Sequence, residues 1–297
     1  MEKEKRNWGQ VLEGVPMSKY TSFKIGGPCD RMVLPSNLEE LSQALRDLRA
    51  SGEDFMVMGR GTNMLVSDLG IRGTVIRLAD NFSQIRVEDD RVIAQSGALL
   101  KQVANRALEA GLSGLEFAHG IPGSVGGGVT MNAGAYDGEM VDVVASVKVM
   151  TPEGEVKDYR GDQMNFAYRH SAVQDQGLVV LEVSYQLEKK DPRLIKEKME
   201  DYWQRRLNKQ PLDKASAGST FKRPQGYYAG KLIDDAGLRG LAHGGAQVSA
   251  KHCGFIVNQG GASCQDVVEL IQTVQEVVLA KFGVKLEPEV KVIGEKE

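Results

Sequence analysis

Cysteine is scarce: three residues in 297, Cys29, Cys253 and Cys264, with no CxxC pair. That excludes a disulfide framework and a zinc ribbon and fits a reducing, cytoplasmic setting. The four histidines, His119, His170, His243 and His252, show no HExxH or other metal spacing, so no metal is expected. No run approaches the ~18 apolar residues of a membrane helix. Residues 1–6 lack an apolar h-region, so no signal peptide is expected. The net charge of −3, from 37 basic and 40 acidic residues, gives no pull toward nucleic acid or an anionic membrane. GxxxxGK[ST] is absent, and no GxGxxG opens a helix, which argues against a P-loop and a standard Rossmann dinucleotide site.

Glycine is what the chain has in quantity. Seven glycines fall between Gly120 and Gly138 in HGIPGSVGGGVTMNAGAYDG. Each would cost roughly 0.5–1 kcal/mol against alanine inside a helix or strand. The segment therefore reads as a packed loop whose bare backbone N–H groups can face an anion. The alternative is a long buried turn with no ligand. A second such loop, Gly59-Arg60-Gly61-Thr62-Asn63, follows the apolar run Phe55-Met56-Val57-Met58, a common place for a phosphate cradle. Two glycine-rich loops suit a ligand with a central pyrophosphate, a dinucleotide cofactor held by a fold other than Rossmann.

A chain of 297 residues has room for two or three lobes. Ser36-Asn37-Leu38-Glu39 has the capping-box pattern and opens a helix that Gly52 ends. Strands are expected at 74–78, 84–87, 92–95, 141–150, 156–159 and 178–187. Helices are expected at 99–110, from Pro192 to about Asn208, and after Ser263, where Val267, Leu270, Ile271, Val274 and Val278 form an apolar stripe. A last strand, 284–293, carries Pro288. The class is α+β. Arg205, Arg206 and Lys209 read as a solvated helix face.

Three further segments carry chemistry. Arg169, in Asn165-Phe166-Ala167-Tyr168-Arg169-His170-Ser171, can present a planar fork to a carboxylate; the alternative is a surface arginine stacked on Tyr168. Ser219, in Ser216-Ala217-Gly218-Ser219-Thr220-Phe221-Lys222-Arg223-Pro224, has small neighbours and no adjacent base, which argues against a hydrolase nucleophile and leaves a structural turn as the alternative. In Leu286-Glu287-Pro288-Glu289-Val290 both glutamates of a strand would share a face. They are either two solvated carboxylates or include one that is buried and needs a partner.

Taken in order, GRGTN, GIPGSVGGGVTMNAGA, YRHS, GSTFKRP and LEPEV resemble the UDP-N-acetylenolpyruvoylglucosamine reductases, the MurB family, over roughly Tyr20 to Ile293. The resemblance implies a two-lobed FAD-binding module of the vanillyl-alcohol-oxidase (PCMH) type plus a C-terminal α+β substrate lobe. The expected division is 1–79 for the first FAD lobe, 80–190 for the second and 191–297 for the substrate lobe, the last residues packing back on the first. It implies non-covalent FAD, NADPH as co-substrate, and a cytoplasmic step of peptidoglycan precursor synthesis. In that step hydride from the reduced flavin and a proton convert UDP-N-acetylglucosamine enolpyruvate to UDP-N-acetylmuramate. A small-molecule partner and a monomer or weak dimer are expected.

Carried over by position, Gly59, Arg60, Gly61, Thr62 and Asn63 match the first FAD loop. Gly120, Ile121, Pro122, Gly123, Ser124, Val125 and Gly126, with Asn132, Ala133 and Gly134, match the second. Tyr20-Thr21-Ser22-Phe23-Lys24-Ile25-Gly26-Gly27 matches the family's opening segment. Arg169 matches the residue that stabilises the enolate, Ser219 the proton donor to the α-carbon, and Glu289 a carboxylate that orders the site or is protonated. Tyr168, Lys209 and Arg223 are assigned to the substrate, the latter two to its diphosphate. Some members carry a tyrosine-bearing connection after the strand that ends near Leu187. Here the chain reaches the helix at Asp191 almost at once, as in a shorter subtype. Rival readings are another flavin enzyme of this fold, including one with FAD attached through His119 or a cysteine, and a flavin or nucleotide sensor without turnover.

Overall fold

A computed structural model of the chain describes residues 7–295. It falls into two compact units. The first holds residues up to Leu12, Met32–Arg60 and Thr74–Arg206; the second holds Glu13–Arg31, Gly61–Gly73 and Leu207 onward.

The first unit is built on a five-stranded antiparallel sheet of order Val156–Arg160, Val144–Met150, Val179–Gln186, Arg91–Gln95, Ile85–Glu88. Its central strand is buried on both faces. Val180, Val183 and Tyr185 join one core with Val147, Leu100 and Phe117. Val179 and Leu181 join another with Trp8, Leu41, Leu45 and Leu48. That second core rests on α1 (Leu38–Ser51), whose N-cap is Asn37, one residue later than the sequence pattern placed it: Asn37 Oδ1 accepts the Glu40 N–H at 2.9 Å. Glu40 in turn accepts the N–H of Ser36, the residue before the cap, at 2.6 Å, so a reciprocal bond is made one residue outside the standard box. Gly52 ends the helix at φ 67°, the left-handed cap glycine supplies.

The glycine-rich segment is not all loop. After α2 (Leu100–Glu109) the chain enters α3 (Val125–Thr130), a helix containing Gly126, Gly127 and Gly128. The intrinsic cost of three glycines is real, but close approach decides the matter. A Cβ on Gly126 would lie 3.1 Å from Ser96 Cβ, and one on Gly128 3.2 Å from Leu100 Cδ1 and 3.3 Å from Met140 Cε. Gly97 shows the same demand at its sharpest: an added Cβ would stand 2.0 Å from the Ala79 carbonyl oxygen and 2.7 Å from its backbone carbons. Backbone cannot yield as a side-chain tip does. Gly97→Ala is expected to cost about 3 kcal/mol, the upper end of overpacking. A denaturant midpoint equal to wild type would show that Ala79 moves freely.

The second unit packs α6 (Ala229–Asp235) and α7 (Cys264–Phe282) with the small antiparallel sheet Ala242–His243, Ala246–Val248, Ile256–Asn258. Ser263 caps α7 by accepting the Asp266 N–H at 2.9 Å, and Asp266 returns the bond to Ser263 N–H at 3.0 Å. The expected stripe Val267, Leu270, Ile271, Val274, Val278 is core, packed with Phe221, Leu232 and Ile233. The final strand is shorter than expected. Only Lys291–Ile293 is regular, paired in parallel with Met64–Val66. Upstream, Pro288 lacks an N–H and breaks the ladder, leaving an isolated bridge to Phe221. No helix among the described residues is long and apolar enough to cross a membrane.

Candidate active site

In the first unit the two glycine loops meet. A Cβ on Gly59 would lie 2.2 Å from Ser124 Oγ, so the end of Phe55–Met58 comes close to the start of α3 and a side chain there would displace the Ser124 hydroxyl. Several loop N–H groups serve the scaffold: Val125 donates to Ala98 O at 2.9 Å, Gly126 to Ser96 O at 2.8 Å, and Ile121 to Ala118 O at 3.1 Å. Gly127 and Pro122 remain exposed at the rim, beside Gly123 with φ 140°. Arg60 is held by Asp80 at 2.5 Å, and that hydrogen bond keeps the Asp80 carboxyl below its ordinary range. Exposed glycine backbone beside the Arg60–Asp80 pair is compatible with a phosphate-bearing ligand.

Asn132 is buried, and its amide is spent on the protein. Nδ2 donates to Glu139 Oε2 at 2.9 Å and Ala167 O at 3.2 Å, while Oδ1 accepts the Val141 N–H at 3.0 Å. Ala167 begins a tight turn closed by two backbone bonds with His170, each 3.1 Å. Tyr168 and Arg169 stand at its tip, the Arg169 guanidinium carbon 5.0 Å from the Tyr168 ring centroid. Asn132 (φ 40°), Tyr136 (57°), Asn165 (46°) and Arg169 (56°) all take left-handed backbone that non-glycine residues rarely adopt. Such strain gathers where structure holds a functional group in place.

Arg206 does not lie on a solvated face, as its sequence neighbourhood suggested. It packs on the bare backbone of Gly120, where an added Cβ would be 2.9 Å from Nη1. Burial lowers its guanidinium pKa. The signal was present: Met199, Tyr202 and Arg206 share one stripe of α5 (Pro192–Lys209), and the first two are core. Arg205 is exposed and paired with Asp201 at 2.8 Å.

His119, one residue before Gly120, meets Trp203 edge-on at 6.1 Å between centroids. Burial pushes its imidazole pKa down, with the Lys101 charge adding to the effect. The unfolded chain, at the ordinary value of about 6.5, binds the proton first. His119 therefore contributes stability that is intact above that pH and declines as pH falls through it toward the depressed folded value. His119→Gln is expected to flatten the fall in melting temperature between about pH 7 and pH 5; an unchanged slope would assign it to other groups.

The second unit gathers the remaining site residues. Ser219 is exposed, between Gly218 (φ 79°) and buried Thr220. Thr220 is fixed on three sides: its N–H donates to Gly254 O at 2.8 Å, its carbonyl accepts the Glu289 N–H at 2.7 Å, and its Oγ1 accepts the Ile256 N–H at 2.9 Å. Asn63 Nδ2 donates to Glu289 O at 3.3 Å, and Ser22 Oγ donates to Ser216 O at 2.7 Å. The Ser22 N–H donates to Gly61 O at 3.2 Å. The tail of the first glycine loop, the opening segment, the Ser219 turn and Glu289 thus share one hydrogen-bonded frame. Glu287 is the solvated carboxylate of its pair, 3.2 Å from Lys222 Nζ; Glu289 is half-buried. Lys209 and Arg223 are exposed.

Known proteins bear on this arrangement. Residues 29–160 match a family model described as an FAD binding domain, and residues 210–293 match the C-terminal domain of UDP-N-acetylenolpyruvoylglucosamine reductase. The chain is 50% identical to the UDP-N-acetylenolpyruvoylglucosamine reductase of Clostridioides difficile (strain 630) over 94% of its own length and 92% of that protein. The chain belongs to the UDP-N-acetylenolpyruvoylglucosamine reductase family. The reductase of Caldanaerobacter subterraneus is 49% identical over 97% of this chain and 95% of its own. The crystal structure of the UDP-N-acetylenolpyruvylglucosamine reductase from Thermus caldophilus superposes with a TM-score of 0.82 at 37% identity, over 95% of this chain and 98% of that one. As a member of this reductase family with an FAD-binding domain, the protein is an oxidoreductase that uses FAD.

Proposed function

We propose that this reductase-family member oxidises NADPH and reduces the enolpyruvyl ether of UDP-N-acetylglucosamine enolpyruvate, giving UDP-N-acetylmuramate for peptidoglycan precursor synthesis in the cytoplasm. The observation that carries this reading is the shared frame of the second unit, in which an exposed serine is bonded through its neighbours to a half-buried glutamate and to the cofactor loop.

FAD, when bound, supplies hydride to the substrate's methylene carbon. The chain's own residues do the rest. Gly59 to Asn63 and Gly120 to Gly126, with Ala133 and Gly134, hold the cofactor. Asn132 acts on the substrate side instead, by anchoring the turn that bears Arg169. The Arg169 fork meets the substrate carboxylate, where negative charge develops, and Tyr168 steadies it. Ser219 Oγ delivers the proton to the α-carbon. Glu289 keeps the Ser219 turn and Asn63 in register, and Lys209 and Arg223 meet the diphosphate. Consumption of NADPH, followed by absorbance, tests the reading: it should require the enolpyruvyl sugar nucleotide. Oxidation that ignores this substrate would assign the protein to another flavin chemistry.

A further inference from the structure

We propose that Tyr228, backed by Arg223, is the clamp that stacks on the base of the nucleoside diphosphate end of the substrate. The inference rests on the UDP-sugar reading above and adds Tyr228, which lies outside the five motifs. Tyr228 is the most exposed large apolar side chain among the described residues, at 64%. The Arg223 guanidinium carbon lies 4.1 Å from its ring centroid. A cation at that distance covers one face of the ring and sets its orientation. The exposure leaves the other face to a planar partner.

The backbone explains how the ring comes to stand there. Gly226, with φ 78° and open space around it, reverses the chain beside Pro224, whose carbonyl accepts the Tyr227 N–H at 3.1 Å. This brings Tyr228 back over Arg223. Tyr228 then caps α6, its carbonyl accepting the Lys231 and Leu232 N–H groups, each at 3.1 Å. The first turn of α6 lies against a second glycine: a Cβ on Gly230 would be 3.1 Å from Gly254 N and 3.3 Å from His252 Cε1. Gly254 O accepts the Thr220 N–H, and Thr220 follows Ser219. The ring and the proton donor are therefore joined by one short path of backbone contacts within the second unit.

The chemistry matches a nucleoside diphosphate. A flat base stacks on an open aromatic face, and the planar guanidinium beside it can meet phosphate oxygens.

The test uses the FAD-loaded enzyme and two probes, UDP and inorganic pyrophosphate, by calorimetry. Tyr228→Ala is expected to weaken UDP about 10- to 100-fold, the range of one base stack, to raise KM for the enolpyruvyl sugar nucleotide in step, and to leave pyrophosphate affinity where it was. Tyr228→Phe, which keeps the ring, is expected to restore UDP binding. FAD content and melting temperature confirm that the variants are folded. UDP binding at wild-type strength by Tyr228→Ala would overturn the clamp while the substrate reading stands. Equal loss for UDP and pyrophosphate would also overturn it, because the base would then not be what the ring holds. A wild-type enzyme that neither binds UDP nor turns over the sugar nucleotide would remove the substrate reading and the clamp with it.

Discussion

Ser219→Ala is expected to slow reoxidation of the reduced flavin by the enolpyruvyl substrate about 10²–10⁴-fold, the usual worth of a placed general acid, and to leave flavin reduction by NADPH near wild type. The asymmetry follows from the chemistry. Reduction of the cofactor needs no proton on the substrate's α-carbon; reduction of the substrate does. A serine hydroxyl is a weak acid in water, so its effect depends on being fixed. The structure fixes the backbone on either side of it, through the three backbone and side-chain bonds of Thr220 and the left-handed Gly218. Because Ser219 is exposed, alanine there leaves no cavity, and a fall in activity would not reflect lost stability. Stopped-flow measurement of each half-reaction separates the two. Equal losses in both would remove Ser219 from proton transfer.

Arg169→Ala is expected to lower the same oxidative half-reaction by about 10²–10³-fold, comparable to removing one donor that faces developing negative charge. Arg169→Lys should recover only part of this, since an ammonium keeps the charge and loses the fork. Arg169 sits at φ 56° at the tip of a two-residue turn, and the turn is anchored from outside by Asn132. Asn132→Ala should therefore reproduce part of the loss, and the double variant should be less than additive. Arg169→Lys at full activity would show that charge alone matters there; additive losses would show that Asn132 acts elsewhere.

The sequence made some parts of this molecule legible and left others hidden, for physical reasons. Elements set by periodicity and caps, such as α1 and α7, were readable because their apolar stripes and terminal glycines are local signals. The glycine helix α3 was not. Propensity reports the intrinsic cost of Gly126 and Gly128, whereas the contacts with Ser96, Leu100 and Met140 that require glycine come from distant parts of the chain. The last strand failed for a smaller reason: Pro288 was in view, and its missing N–H shortens the ladder to Lys291–Ile293. Arg206 sits in a run of basic residues that suggests solvent, although its spacing from Met199 and Tyr202 places it on the packed side of α5. The candidate site was legible as motifs but not as a frame. Nothing local to Asn132 shows that its amide supports the Arg169 turn, and nothing local to Asn63 shows that it reaches Glu289. Tyr228, an aromatic after a proline–glycine turn, reads as ordinary surface in the sequence, because the Arg223 guanidinium against its ring is a contact only the fold shows.

The most direct measurement is a visible absorption spectrum of the purified protein under anaerobic conditions, followed through addition of NADPH and then of UDP-N-acetylglucosamine enolpyruvate. The account predicts a flavin spectrum that bleaches with NADPH and recovers fully with the enolpyruvyl substrate. Bleaching without recovery would contradict the assigned substrate, and protein that takes up no FAD would contradict the reading of both glycine loops.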